Sequence, residues 1–374
     1  MKSRISVIIL CYRKFDFLYE AIDSVINQDY ENIELVVSDD CSPDFPDKKV
    51  RDHICKNSKN NITSIIINHE KENCGTVKHI NHAIKLCTGE YIALLAGDDA
   101  FYNEKVLSRY VSGFEKCSKE YKIEMAQTAM CDYQLDKIQG YYLQHKIQKV
   151  LVKEDYDTEE LFTLIAYRAY LPSTSTCFRR AFFDDFAFDE RYKLVEDVPM
   201  HLRITREGKK IHFENFVAVK HRTGGISHGN IGGLSKSQIM YLNDLINIGQ
   251  YEVMPYINMV SNKRRSAVKE SIKVQRIINT YQLIGGNRRE LIIQFVKHPI
   301  KTWVIIYPKS LNIILRSCTS LILFFTIMMF LVNEDCLMKR VLDNTMIVVL
   351  CIYLIFEAFH WLNKVNQFNN KWIY

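Results

Sequence analysis

Eleven cysteines are scattered through the 374-residue chain with no C-x-x-C pair and no clustering with histidine. An odd, unpatterned set favours free thiols in a reducing compartment over a disulfide framework or a thiolate zinc site. A glycine-rich phosphate loop is missing too. After its first apolar run the chain reads CYRKFDF where a dinucleotide-binding fold needs G-x-G-x-x-G, and no G-x-x-x-x-G-K-[ST] occurs. A diphosphate bound here must have its charge met in another way, for which a metal held by carboxylates is the alternative. Internal repeats and low-complexity tracts are also lacking. The opening MKSRISVIILCYRK has an apolar core, residues 5–10, too short for a secretory signal and closed by Arg13 and Lys14. It reads as a first buried strand, with the front of the protein in the cytoplasm.

The formal charge of +6 is unevenly placed. Between Ser261 and Arg316 twelve Lys or Arg face two Glu, so the rest of the chain is net negative. The basicity is therefore local and excludes a whole-protein nucleic-acid surface.

With 48% hydrophobic residues the chain can bury a large core and carry more than one unit. Apolar, β-branched runs at 5–10, 33–38, 65–68 and 91–96 alternate with helical patterns at 17–28, 48–56 and 76–87. That rhythm predicts an α/β fold, a mostly parallel sheet with helices on both faces. Further strands are expected at 125–131, 175–178 and 211–219, and helices at 159–167 and 198–206. A Gly-rich loop spans 223–233, and from Ser235 to about Thr280 the chain turns helical and basic.

Two of the strands end in paired acids: ELVVSDD places Asp39 and Asp40 there, and IALLAGDD places Asp98 and Asp99. Ligands of open α/β sheets bind outside the carboxyl ends of the strands. Adjacent carboxylates repel unless a cation or a set of donors neutralises them. A divalent metal with hard oxygen ligands does this, and helix or turn capping is the competing explanation. A third pair, Glu196–Asp197 in KLVEDVPMHLRI, opens an amphipathic helix, where acids are favourable in any case.

Together these segments resemble the family 2 glycosyltransferases, inverting enzymes of GT-A fold that use nucleotide-sugar donors. The resemblance covers roughly residues 3–230. SVIILCYRKFDFLYEAIDSVINQDYENIELVVSDDCSPD is similar to the family opening, with Ser24, Val25 and Gln28 followed by the strand ending in Asp-Asp-x-Ser. NCGTVKHINHAIKLCTGEYIALLAGDD resembles the block carried here by Asn73, Gly75, Asn81, Gly89, Glu90, Tyr91, Asp98 and Asp99. FAFDERYKLVEDVPMHLRITREGKKI resembles the segment that brings in the catalytic base.

The resemblance implies roles. Asp39 meets the base or ribose of the donor with Asp40 near it, and Asn73, Lys78, Asp99 and Arg222 belong to the donor site. Asp98 ligates Mg²⁺ or Mn²⁺ bridging the diphosphate. Asp197 takes the acceptor hydroxyl's proton, with Glu196 beside it. A UDP-sugar is the implied donor and a lipid-linked or polysaccharide glycan the acceptor. The sequence departs from the pattern at Ala96, in place of the first acid of Asp-x-Asp, and at Leu10-Cys11-Tyr12-Arg13, where Pro-Thr-Tyr-Asn is common. In KHRTGGISHG, His221, Arg222 and His228 are the candidates for a diphosphate-binding loop. A nucleotidyltransferase on a similar sheet and a non-catalytic membrane scaffold that retains the fold are the alternatives.

The tail differs in kind. Residues 311–332 and 344–362 are each about long enough to cross a hydrocarbon core, which takes ~20 residues. The expected organisation is a catalytic domain at 1–232, a basic helical membrane-proximal region at 233–310 and a membrane hairpin at 311–374. Positive charge before the first crossing places the catalytic domain on the cytoplasmic face of the cell membrane.

Overall fold

The computed structural model describes residues 2–153, 155–167, 169–223 and 235–284. Strand β1 (Ile5–Cys11) leads to α1 (Leu18–Ile26), β2 (Ile33–Asp39), α2 (Asp47–Asn57), β3 (Ile62–His69), α3 (Thr76–Lys85) and β4 (Tyr91–Ala96). Next come β5 (Ala100–Phe101), α4 (Val106–Lys116), β6 (Ile123–Cys131), β7 (Ile138–Tyr141), α5 (His145–Leu151) and α6 (Thr158–Ala166). Strand β8 (Thr176–Arg179), α7 (Asp197–Arg206) and β9 (His212–Arg222) close the sheet. Helices α8 (Lys236–Asn247) and α9 (Asn262–Ile284) follow, joined through two irregular turns over 248–259.

Pleating explains why β1 and β2 read as continuous apolar runs. Ile5, Val7 and Ile9 enter one core with Leu18, Ile22 and Val25 of α1, whereas Ile8 enters a second core with Val77 and Ile80 of α3. Successive side chains point to opposite faces and both faces are covered, so no polar alternation is possible. The i, i+3, i+4 spacing of Leu18, Ala21, Ile22, Val25 and Ile26 matches the buried face of α1.

The α/β class is as expected, but the sheet is mixed. Its order is β3-β2-β1-β4-β8-β6-β9-β5, with β7 beside β6. The β3-β2-β1-β4 half is parallel. Strand β8 then runs antiparallel between β4 and β6, and β5 and β7 pair antiparallel at β9 and β6. Only β6 with β9 restores a parallel pairing. Apolar periodicity reports which faces are covered and carries no information on strand direction. Strands β5 and β7 and helices α4 and α5 were not foreseen from the sequence. Two of them are too short to show a period, and α4 hides its stripe of Val106, Leu107, Tyr110, Val111 and Phe114 between polar residues.

The eight cysteines among the described residues are all unpaired thiols. No helix among the described residues is long and apolar enough to cross a membrane. The segments at 311–332 and 344–362, the 333–343 connection, His228 and most of the Gly-rich loop lie outside the described residues.

Candidate active site

Strands β2, β1 and β4 end at one edge, since the register pairs Cys11 with Asp39 and Leu10 with Ala96. The chain steps outward from β1 to β2 and β3, then returns to place β4 on the other side of β1. Strand order therefore reverses between β1 and β4, the place where open α/β sheets bind ligands. The two acid pairs flank this switch point. Gly97 makes the turn possible: its amide donates to the Leu10 carbonyl at 2.7 Å, and a Cβ there would meet Cys11 Cβ and the Leu10 oxygen at 3.0 Å.

Asp39 and Asp40 divide their work. Asp39, fully buried, accepts from the Ser42 amide and hydroxyl, both at 2.6 Å, and lies 2.9 Å from His69 Nδ1. The His69 ring stacks on Phe45 with centroids 5.7 Å apart. Ser42 Oγ in turn accepts from the Arg13 amide at 2.7 Å, and Arg13 and Cys41 both have left-handed backbones, φ 59° and 64°. Such conformations persist in non-glycine residues only where the surroundings hold them. Asp40 faces the other way. It accepts from Asn73 Nδ2 at 2.9 Å, the Cys74 amide at 2.8 Å and the Gly75 amide at 2.9 Å. Asn73 and Asp40 thus fix the loop that starts α3, whereas Lys78, in the first turn of that helix, lies 3.9 Å from Glu72.

At the end of β4 the pair splits again. Asp99 is buried, with Oδ1 accepting from the Arg222 amide and Oδ2 beside His221 Nδ1, both at 2.9 Å. Burial works against a charged His221, but Asp99 and Asp98 outweigh it and raise its pKa. Asp98 is only half-buried, and no other described residue hydrogen-bonds its carboxylate. Burial and then the charge of Asp99 raise its pKa. It is a carboxylate short of positive charge, the condition under which a hard divalent cation fits. Mg²⁺ in particular is held by one or two carboxylates with substrate phosphates and water completing its shell.

Arg222 is the residue whose surroundings most change its reading. Its guanidinium is buried over the Phe17 ring, 3.5 Å from the centroid. Nε donates to the Asp98 carbonyl at 2.8 Å, one Nη donates to the Tyr133 carbonyl, and the other pairs with Glu20 at 2.6 Å. In this arrangement Arg222 orders the backbone under Asp98 instead of presenting an open cation to a ligand.

The third pair opens α7. Ser173 Oγ donates to Glu196 Oε1 at 2.9 Å. Asp197 Oδ1 accepts from the Val198 amide at 2.7 Å. Burial, followed by the charge of Glu196, pushes the Asp197 pKa well above the usual carboxylate range, and burial raises Glu196 as well. The segment before this pair is tied to the start of α3, next to the Asp40–Asn73 loop, because the Val77 amide donates to the Lys193 carbonyl at 3.3 Å.

The structure thus gathers the expected residues other than Lys78 into three networks: Asp39–Asp40–Asn73, Asp98–Asp99–Arg222 and Glu196–Asp197. Sequence reasoning overlooked His69, Glu20, Phe17 and Ser173. None carries a local signal, since each matters only through a partner far along the chain.

Residues 6–137 match the model of the family described as Glycosyl transferase family 2. An uncharacterized glycosyltransferase of Rickettsia felis is 38% identical over 104 residues, which are 28% of this chain and 16% of that relative. This chain therefore spans about a sixth of the length of that protein. An uncharacterized glycosyltransferase of Rickettsia typhi, RT0329, is 24% identical over 318 residues, 80% of this chain and 93% of its own. WfaP of Escherichia coli, named a UDP-Glc:alpha-D-GlcNAc-diphosphoundecaprenol beta-1,3-glucosyltransferase, is 34% identical over 102 residues, 27% of this chain and 38% of that one. The matched residues, about a third of the chain, hold β1 through β6 and both strand-end acid pairs, so it is this part of the chain that is similar to glycosyl transferase family 2.

Proposed function

We propose that the protein transfers a sugar from a nucleoside-diphosphate sugar, with UDP as the nucleotide, to a hydroxyl of a lipid-linked or polysaccharide glycan acceptor, with inversion. The observation that carries this reading is the half-buried Asp98 carboxylate just past β4, where the strand order reverses, left without a hydrogen bond from another described residue while Asp99 is held by Arg222 and His221.

In this mechanism Asp39 and the Phe45–His69 stack border the place of the nucleobase and ribose. Asp197 removes the proton of the acceptor hydroxyl as its oxygen bonds to the anomeric carbon. The bond from that carbon to the diphosphate oxygen breaks, and the diphosphate leaves with the electron pair. A raised carboxylate pKa makes Asp197 a stronger base than an exposed aspartate while still ionisable near neutrality. Glu196, held by Ser173, keeps that pKa high. Asp98 would hold Mg²⁺ or Mn²⁺, which when bound supplies positive charge to the leaving diphosphate. Asp99 and Arg222 hold the backbone and carboxylate of that site in place.

Support for a lipid-linked acceptor comes from two sides. WfaP is named for a diphosphoundecaprenol acceptor. Residues 311–332 and 344–362 have the length and hydropathy of a membrane hairpin preceded by a basic segment, which would keep the site at the cytoplasmic face of the cell membrane. The test is nucleoside diphosphate release from a panel of UDP-, GDP- and dTDP-sugars in the presence of Mn²⁺ or Mg²⁺. Release from one class supports the transferase; pyrophosphate release from a sugar phosphate and a nucleoside triphosphate would identify a nucleotidyltransferase instead. Neither product would leave the non-catalytic scaffold.

A further inference from the structure

We propose that Asp244, on α8 and outside the family-matched residues, is a positioning residue for the Glu196–Asp197 pair. Its side chain is buried, and one oxygen, Oδ2, accepts from three consecutive amides: Lys193 at 2.9 Å, Leu194 at 2.7 Å and Val195 at 3.2 Å. Three convergent amides form an anion-binding nest, here filled by the chain's own carboxylate. Val195 immediately precedes Glu196, so the nest sets the path by which the chain enters α7.

Glu252, in the irregular turn after α8, secures the flanks of the same segment. It accepts from Arg191 at 2.8 Å and from the Tyr192 hydroxyl at 3.0 Å, and pairs with Arg206, in the last turn of α7, at 2.8 Å. From the opposite side the Lys193 carbonyl meets the Val77 amide and packs against Gly75, whose own amide is held by Asp40. A continuous set of contacts therefore runs from Asp40 at the donor side through Gly75 and Lys193 to Asp244. Burial, and to a lesser degree the charge of Asp244, raises the proton affinity of Glu196. The region expected to be only a basic, membrane-proximal linker thus supplies part of the support of the active site.

The inference rests on Asp197 being the base, and the experiment separates the two. In the full chain, Asp244→Ala and the isosteric Asp244→Asn are compared with wild type and Asp197→Asn. Amide exchange of the peptide spanning 190–198 reads the nest without turnover. Calorimetry with UDP and Mn²⁺ reads the donor side, and nucleoside diphosphate release, from the sugar donor that the panel above selects, reads catalysis. Asp244→Ala should speed exchange over 193–197 by roughly tenfold or more, as expected when amides lose a charged acceptor. It should lower kcat by about 10²-fold with donor KM unchanged, as for a displaced catalytic group. Asp244→Asn should move both in the same direction by less, and UDP affinity should stay within about twofold. Unchanged exchange over 193–197 would overturn the proposal, as would faster exchange with wild-type kcat. A fall in UDP affinity matching the fall in turnover would reveal general damage and overturn it too. Full turnover by Asp197→Asn would remove the base assignment, and this proposal with it, even if the nest proved real.

Discussion

Asp99 Oδ1 accepts the Arg222 amide at 2.9 Å across 123 residues of sequence. Together with the His221 contact and the β5–β9 pairing, this bond ties the turn after β4 to the end of β9 and engages the second aspartate of the pair from both sides. With Asp99 committed to His221 and Arg222, and Arg222 committed to the Asp98 carbonyl, the Asp98 carboxylate is the member of the pair left to serve a ligand.

Removal of the Asp98 charge should therefore abolish the need for a cation and the activity together. Asp98→Asn is expected to keep the wild-type circular dichroism spectrum and melting temperature within a few degrees while losing most turnover. EDTA should silence the wild type, and Mn²⁺ or Mg²⁺ should restore it. Undiminished nucleoside diphosphate release by a metal-free preparation would refute the cation's role.

As the proposed base, Asp197 must be ionised to act, and its pKa is raised first by burial and then by Glu196. Activity should fall as pH drops through a value well above the usual carboxylate range of ~4. Glu196→Gln removes the neighbouring charge, so the acidic limb of the kcat profile should move to lower pH. Asp197→Asn should cost at least about 10²-fold in kcat with UDP binding little changed. A limb that stays in place in Glu196→Gln would show that the two carboxylates do not interact.

Gly75 is held at φ 82°, and a Cβ there would meet the Lys193 oxygen at 3.1 Å. Gly75→Ala should destabilise the protein by about 1–3 kcal/mol, the usual cost of a side chain in a left-handed backbone. It should also weaken activity, since the same loop is held by Asp40 and touches the segment before Asp197. Chemical denaturation beside turnover measures both. A neutral substitution would mean that the loop relaxes freely.

Glu124 is fully buried next to His212 at 2.8 Å, and burial raises its pKa from 4.5 to about 7. The folded protein therefore holds this proton more tightly than the unfolded chain. The contribution of Glu124 to stability is full below about pH 4.5 and is lost as pH rises through about 7. Glu124→Gln should consequently gain stability relative to wild type between pH 5.5 and 8.5, by roughly 1–3 kcal/mol at the upper end. Urea melts at several pH values give the difference directly, and a pH-independent difference would contradict the raised pKa.

The proposed C-terminal membrane hairpin makes its own prediction. Full-length protein should pellet with membranes and resist a high-salt wash, whereas truncation after about Lys309 should leave salt-releasable binding. Reporter fusions at the C-terminus, near Lys364 and Lys371, should read cytoplasm and fusions at 333–340 the opposite side. A full-length chain that stays in solution without detergent would exclude the hairpin.

How far the sequence reached is clearest at the acid pairs. The strands before Asp39 and Asp98 are legible because a strand covered on both faces must be apolar throughout, and the break into Asp-Asp marks its end. The family resemblance was equally local, carried by contiguous motifs within roughly residues 3–230. The division of labour inside each pair was not legible. Asp39 and Asp40 look alike in sequence, yet one holds Ser42 and lies beside His69 and the other holds Asn73, Cys74 and Gly75. The direction of β8, the burial of Arg222 and the nest around Asp244 were hidden for the same reason. Local propensity and periodicity arise from a residue and its near neighbours, whereas strand direction, burial of a charge and the partner of a carboxylate are set by segments tens to hundreds of residues away, which meet only when the chain has packed.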